Sequence, residues 1–283
     1  MLHSKGLLRL VFACGALVSE TTLAELRPLD DNTLSEMTGQ ALMSIGETKG
    51  LNAGESFTRM TLSGIETDLY MSIGALSVAK RALPGTTTAA DIDATNFALG
   101  TQGGASFRAY SPYFEVAKVD GDVVGIRIGY MDAQGEMTGS YSSLTGNIGL
   151  KIDMDGTGTD IRDAQLLNET GTATNYRATN IGIDDGSGTC GSSCAPLSNL
   201  NTISVGKDDG TGGVQSTKDF FFAMQSQTVN WLSNESPKQA ITAESELYLN
   251  IPTSMTVNLS DLNTGTLSAA AQTPYVEAGT NLF

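Results

Sequence analysis

The stretch that decides the fold is VGIRIGY at 124–130, in which apolar residues alternate with small or charged ones. Such alternation is typical of a β-strand, because successive side chains point to opposite faces of a sheet. Residues 107–119 have the pattern of a second strand. Between the two, VDGDV at 119–123 carries the Asp-Gly pair that favours a tight hairpin turn. The sequence therefore predicts a β-hairpin in the middle of the chain.

Strand patterns recur on both sides of this hairpin. Residues 62–73 alternate in the same way, and DAQG at 132–135 predicts the next turn. Two further strand patterns, 247–251 and 255–259, flank Pro252, which suits a corner or an edge of a sheet. Short strands separated by frequent turn signals predict an all-β fold, either an antiparallel β-sandwich or a β-roll, with one short N-terminal helix.

The amino terminus and the net charge predict export. Lys5 and Arg9 precede an apolar run at 10–18 and the small-residue stretch TLA at 22–24, so residues 1–24 are predicted to be a signal peptide. We expect the exported chain at the cell surface, associated with the outer membrane, in a fimbrium or in the medium. With 16 basic and 31 acidic residues, the chain has a net charge of −15, which argues against a nucleic-acid partner.

Histidine is almost missing from the chain. The one histidine, His3, lies inside the predicted signal peptide. Without an imidazole, the exported chain can form neither a Ser-His-Asp nor a Cys-His catalytic relay, and it cannot form a His-ligated zinc site. We therefore expect that the protein is not an enzyme.

Two cysteines remain after export. Cys190 and Cys194 stand in CGSSC, within a stretch rich in glycine and serine. In an oxidising compartment this spacing favours a local disulfide. A thiol–disulfide redox site is the weaker interpretation, because such sites use a two-residue spacer at the start of a helix.

An acidic turn at 153–160, DMDGTGTD, raises the question of calcium. Oxygen ligands stand at alternate positions, as in a calcium-binding loop, at Asp153, Asp155, Thr157 and Asp160. The position that supplies a bidentate carboxylate in such loops is Ala164, however. Asp and Gly are also ordinary turn residues. A weak calcium site and a plain turn both stay open, and the sequence indicates no other cofactor.

The first residues after the predicted signal peptide, 25–45, form a short helix and the first strand in this prediction. Asp30 or Asp31 can cap a two-turn helix that Gly39 ends, and 41–45 follows as a strand. Residues 46–283 are predicted to form a single β-rich domain.

A motif within this segment carries a family resemblance. Its residues are Leu29, Asp31, Leu34, Gly39 and Gln40. Placed just after a signal peptide, the string resembles the mature start of FilA-type fimbrial and secreted surface proteins of proteobacteria. The resemblance covers Leu26 to about Ile45, about 20 residues, and is only compositional beyond them. It implies that this string is an assembly motif of a cell-surface or filament subunit, and it brings no catalytic residues.

Two classes of function follow. The first is an exported structural or adhesive surface protein, a fimbrial or pilus-like subunit or an associated component. Its partners would be other surface or fimbrial subunits, and 41–45 would be either a strand added to a neighbour or an ordinary first strand. The alternative is a secreted carbohydrate-binding module, or a glycosidase that uses carboxylates alone, with a host or surface glycan as ligand. Sugar sites favour aromatic platforms, and few candidates exist, namely Tyr110, Tyr113, Tyr248 and Trp231, the last of which we predict to lie in the core.

Overall fold

The computed structural model of the chain describes residues 42–81, 90–100, 106–208, 211, 214–244 and 246–267. The predicted signal peptide, the predicted helix and the five residues of the assembly motif lie outside this range. The described residues are mostly β-strand, so the predicted all-β class is confirmed. Among them, no helix has the length and apolar character that a bilayer-crossing helix needs.

The strands, in chain order, are β1 (Met43–Lys49), β2 (Glu55–Leu62), β3 (Glu66–Leu69), β4 (Met71–Val78), β5 (Ile92–Leu99), β6 (Phe107–Val119), β7 (Asp122–Leu144), β8 (Gly146–Ile148), β9 (Lys151–Asp153), β10 (Ile161–Asp163), β11 (Gln165–Leu167), β12 (Asn180–Gly182), β13 (Cys194–Pro196), β14 (Thr202–Val205), β15 (Lys207–Asp208), β16 (Val214–Gln215), β17 (Phe221–Gln225), β18 (Val229–Leu232), β19 (Ala240–Ala243), β20 (Glu246–Ile251) and β21 (Thr256–Asn258). A 3-10 turn spans Leu197–Asn199, and helix α1 spans Leu259–Thr264.

Strand β7 organises the fold because it belongs to two sheets. Its 23 residues pair first with β6 and β17, and further along with β5 and β14. The first sheet has the order β1-β2-β6-β7-β17-β20-β8, with β3 alongside the start of β6. The second sheet consists of β4, β5, β7 and β14. Three smaller sheets, β10-β9-β21, β11-β12-β13 and β15-β16, and the hairpin β18–β19 complete the described part.

The predicted central hairpin is confirmed. Strands β6 and β7 pair antiparallel up to Val119 and Asp122, with only Asp120 and Gly121 between them. Asp120 has φ 53° and Gly121 has φ 94°, and two positive φ values mark the turn whose twist fits a hairpin. Asp tolerates this conformation and Gly adopts it without steric cost, which explains why the Asp-Gly pair predicted the turn.

The predicted turn at 132–135 is wrong, because β7 runs straight through it. Gly135 marks the point at which β7 leaves β6 and joins the second sheet. Its φ is +147°, and a Cβ at this position would lie 2.7 Å from the Cα of Phe107. The glycine is therefore required by a close backbone approach and not by a chain reversal.

Two other strand predictions are refined by the structure. The pattern at 62–73 spans the end of β2, all of β3 and the start of β4, so it is not one strand. Pro252 lies at a corner, as predicted, between β20 in the first sheet and β21 in a smaller one. β20 and β21 pair in parallel with β8 and β9, so a purely antiparallel arrangement is wrong for these pairs. The reason is that β8–β9 and β20–β21 turn the corner in the same direction, side by side.

The apolar side chains form two cores. The larger lies among the second sheet, the small sheets and α1, and includes Met137, Ile152 and Leu262. The smaller lies between one face of the first sheet and the hairpin β18–β19, and it includes Phe57 and Trp231. Trp231 is fully buried, which confirms its predicted place in the core.

A buried ion network crosses the smaller core. Arg127 is completely buried, and its Nε and Nη2 donate to Oε2 of Glu115 at 2.8 and 2.5 Å. Its Nη2 also donates to the carbonyl of Leu232 at 3.0 Å, which ties the sheet to the covering hairpin. On the other side, Arg59 Nε donates to Oε1 of Glu115 at 2.9 Å. The Arg127 guanidinium lies 5.0 Å from the ring centre of Trp231, within range of a cation–π contact.

Removing the central carboxylate should destabilise the protein strongly. Glu115→Gln leaves the Arg127 cation buried without its counter-charge, and breaking a buried pair in this way costs about 3–5 kcal/mol. Urea unfolding followed by tryptophan fluorescence, with Trp231 as the reporter, measures the loss. Asp160→Asn is the matched control, since it breaks the exposed pair of Asp160 with Arg162 and should leave stability near wild type. Equal stability of the two variants would contradict the role of the network.

Candidate functional site

Strand β1 is an exposed edge of the first sheet. All seven of its residues are exposed, including Ile45 at 68%. Within the described part of the chain its one partner strand is β2, with which it pairs from Met43 to Lys49. Within that part, the N–H and C=O groups along its outer side pair with no other strand, which is the arrangement that strand addition uses. The strand predicted at 41–45 is present but begins at Met43 and continues through Gly46 to Lys49.

An apolar surface adjoins this edge on one face of the first sheet. One cross-strand row over five strands is apolar throughout, namely Ile45, Met60, Phe114, Ile128 and Phe222. The next row along the strands adds Val116, Ile126 and Met224. We term these eight residues the apolar sheet face.

Four of the eight residues of the apolar sheet face are exposed; the other four are half-buried, and one of these, Phe222, packs against the larger core. Ile128 is 51% exposed, Met224 50% and Phe114 37%. At one end a groove of about 380 Å³, lined in part by Val123 and Leu247, continues the same surface. An antiparallel sheet usually has one face in the core and a polar face in water. Here the opposite face already carries the smaller core and its buried ion network, and a contiguous exposed apolar patch of this kind marks an interaction site.

The acidic turn at 153–160 uses its oxygens within the loop. Asp153 Oδ1 accepts from the backbone N–H of Gly156 at 3.0 Å, and its Oδ2 accepts from that of Gly158 at 2.9 Å. Asp155 accepts from Thr157 N–H and from the Thr159 hydroxyl, and these hydrogen bonds lower the pKa of the Asp155 carboxyl. Such bonds are those of a plain turn.

Calcium at this turn stays a prediction. Asp160, the remaining carboxylate of the predicted ligand set, is held by the guanidinium of Arg162 at 2.7 and 2.8 Å. No group of three or more Asp, Glu, His or Cys residues that could hold a metal ion occurs in the part of the chain that the structure describes.

The predicted disulfide between Cys190 and Cys194 is confirmed. Cys194 lies buried at the start of β13, and the short ring closes a loop that begins after β12. Asp185 fastens the same loop, because its Oδ1 accepts from Ser187 N–H at 2.9 Å and its Oδ2 from the Ser193 hydroxyl at 2.5 Å. Hydrogen bonds to the ionised form lower the pKa of Asp185 to about 2.

A second candidate site is a polar cleft of about 620 Å³ beside the hairpin β18–β19. Its lining includes Asn147 from β8, Asn250 from β20, and Asp219 from the segment before β17. Lys207 and Glu235 also line it and form an ion pair with a separation of 3.4 Å. We term this the polar cleft.

Asp219 is the buried acid of the polar cleft. It is only 9% exposed, and its Oδ1 accepts from the backbone N–H of Asn234 at 2.7 Å. Its Oδ2 has no hydrogen-bond partner among the residues that the structure describes. Burial is the main reason that its pKa is raised above the usual value for an aspartate. The arrangement leaves one carboxylate oxygen available to a donor from outside the protein.

The polar cleft could not have been found from the sequence. Its residues come from distant parts of the chain and follow no regular spacing. The aromatic residues proposed for sugar stacking are mostly inaccessible, since Tyr113 and Tyr248 are each only 2% exposed and Trp231 is fully buried. Tyr248 lines the polar cleft but belongs to the smaller core. Tyr110 is engaged by Glu66, to which its hydroxyl donates at 2.7 Å.

Comparisons with known proteins place the chain in no family: no protein-family model, curated protein or solved structure matches it significantly. The resemblance to FilA-type surface proteins thus stays a prediction that depends on its own residues.

The loop hydrogen bonds of Asp185 predict a specific pH dependence. Because the folded-state pKa lies near 2, below the ordinary 3.8, the carboxylate and its bonds contribute stability above about pH 4. They are lost as the pH falls through about 2. An NMR titration of the Asp185 carboxyl carbon should show its midpoint near 2, and Ser193→Ala should move the midpoint towards 3.8. The adjacent substitution Ser192→Ala should leave it unchanged, and a wild-type midpoint near 3.8 would contradict the assignment.

Proposed function

We propose that the protein is an exported structural or adhesive cell-surface protein, a subunit of a fimbrial or pilus-like assembly or an associated surface component. The observation that carries the proposal is that the open edge of β1 is continuous with the apolar sheet face. A partner can add a strand at the edge and cover the apolar side chains in the same contact. The predicted signal peptide, the acidic balance and the lack of histidine after export support a structural role.

A second copy of the chain fits this surface. If two copies of β1 pair antiparallel about Gly46, then Glu47 lies opposite Ile45 and Lys49 lies opposite Met43, so no like charges face each other. This pairing has the twofold symmetry that is common in homo-oligomers, and it would join two copies of the first sheet edge to edge. A Cβ at Gly46 would meet nothing within 4 Å in the described part of the protein, so this strand centre is accessible.

The size of the surface agrees with a contact that uses both the β1 edge and the apolar sheet face. Five strands about 4.8 Å apart and about six residues long give a face of about 500 Å² in projection. A standard interface takes about 800 Å² from each partner. The apolar sheet face alone falls short of this area, so a stable contact would also use the adjoining β1 edge and its directional backbone hydrogen bonds.

Charges placed on this surface should prevent self-association. Ile45→Lys puts an ammonium group on the paired edge, and Phe114→Lys puts one on the apolar sheet face two strands away; the two side chains are 68% and 37% exposed in the single chain. We expect wild-type protein purified from exporting cells to form dimers or larger species at micromolar concentration in sedimentation velocity. Ile45→Lys should shift the edge-paired dimer towards monomer by at least tenfold in dissociation constant, whereas Phe114→Lys should reduce the larger species that cover the apolar sheet face.

The matched control is Ile161→Lys. Ile161 is 47% exposed, but it lies on β10 in a smaller sheet, away from the apolar sheet face. This variant should associate as wild type does. A wild-type chain that stays monomeric up to about 100 µM, or variants that associate as well as wild type, would overturn the proposed contact.

The location of the protein in the cell tests the wider proposal. Fractionation of cells that produce the chain should place it in sheared surface material or in the outer-membrane fraction. Immunodetection with an antibody to the full chain measures the distribution, with known periplasmic and cytoplasmic proteins as markers. A strictly periplasmic distribution would contradict a fimbrial role, and unprocessed chain in the cytoplasm would contradict export.

A further inference from the structure

The polar cleft has the chemistry of a ligand site. Its volume of about 620 Å³ lies within the usual range for small-molecule sites, about 300–1,000 Å³. It is built on rigid elements, since Asn147 and Asn250 are paired neighbours in the parallel ladder of β8 and β20. Asn147 Nδ2 donates to Asn250 Oδ1 at 3.3 Å, and Asn250 Nδ2 donates to the carbonyl of Asp219 at 2.6 Å. These bonds hold the floor of the cleft in place.

One carboxylate oxygen in the cleft has no partner among the described residues. Asp219 is nine-tenths buried, and only its Oδ1 is bonded within the described part of the protein, to Asn234. Because Oδ2 has no protein partner in the described part, a ligand that donates to it gains a hydrogen bond without a competing protein contact. The ionised oxygen would make a charge-assisted hydrogen bond, which is stronger than a neutral one.

The remaining lining narrows the class of ligand. The two carboxylates, Asp219 and Glu235, outnumber the one ammonium group, Lys207, which disfavours an anion such as a phosphate or an acidic sugar. The described part of the chain has no group of three or more Asp, Glu, His or Cys residues that could hold a metal ion, at the cleft or elsewhere. The cleft also has amide and hydroxyl groups, which both donate and accept hydrogen bonds, and the apolar residues Ile241 and Pro252. This lining suits a molecule with many hydroxyl groups and some apolar ring surface.

We propose that the polar cleft binds a saccharide that carries no negative charge, with Asp219 Oδ2 accepting a hydrogen bond from one of its hydroxyl groups. Asn147 and the Lys207–Glu235 pair supply further polar contacts at the rim. This inference is independent of the proposed assembly, because Tyr248 and Asn250, which line the cleft, point to the face of the first sheet opposite the apolar sheet face.

A glycan array followed by calorimetry with the full chain tests this site. The panel contains neutral, amino-substituted and acidic saccharides. Asp219→Asn keeps Oδ1 as the acceptor for Asn234 but replaces Oδ2 with a donor group, so it should weaken saccharide binding at least tenfold. Glu235→Gln, at the rim of the cleft, should weaken saccharide binding several-fold. This variant tests the site even if Asp219→Asn does not fold. Asp163→Asn is the matched control, because Asp163 is an exposed carboxylate on β10, outside the cleft.

Each outcome of this experiment either supports the saccharide site or overturns it. Binding of a neutral or amino-substituted saccharide that both cleft variants weaken and Asp163→Asn does not would support the site. No binding up to millimolar concentration, binding of acidic saccharides alone, or binding that neither cleft variant changes would overturn it. Self-association measured on the same samples keeps the two proposals apart, because the cleft variants should associate as wild type does.

Discussion

The antiparallel ladder between β6 and β7 is the constraint on which the rest of the structure depends. It closes at the tight turn of Asp120 and Gly121, and it fixes the side to which each residue of both strands points. Every other strand of the first sheet takes its register from this pair, through β2 on one side and β17 on the other. The second sheet depends on it as well, since β7 continues past Gly135 to become one of its strands.

This register sorts the first sheet into two faces that differ in chemistry. On one face, Arg59, Glu115 and Arg127 are neighbours in a single cross-strand row over β2, β6 and β7. A buried row of charges can exist only when the charges satisfy one another, and the hairpin with Trp231 then covers them. The next residue along each of these strands points to the other face and is apolar. The covered face is thus polar at its centre, while the open face is apolar, which reverses the usual distribution in a half-exposed sheet.

Local signals account for the parts of the fold that the sequence predicted. The Asp-Gly turn, the strands β6 and β7, and the corner at Pro252 follow from conformational preferences of a few adjacent residues. The turn predicted at 132–135 was wrong because Gly135 is required by the close approach of the Phe107 backbone. Phe107 is distant in sequence, so no local pattern reveals this contact. The disulfide was predictable for the same reason as the hairpin, since its cysteines are only four residues apart. The polar cleft was not, because Asp219 and Asn250 meet only through strand pairing and carry no motif.

The two proposed sites lie on opposite faces of one sheet. Association through the edge of β1 and the apolar sheet face would leave the polar cleft open, because the hairpin β18–β19 and the cleft beside it lie on the other side. A dimer formed through that surface would carry two clefts, and two linked weak sites bind a multivalent surface more tightly than one site does. Weak binding by a single cleft is therefore compatible with strong adhesion by an assembly. On these two proposals, the structural and the saccharide-binding roles, which the sequence left as alternatives, would be compatible in one fold.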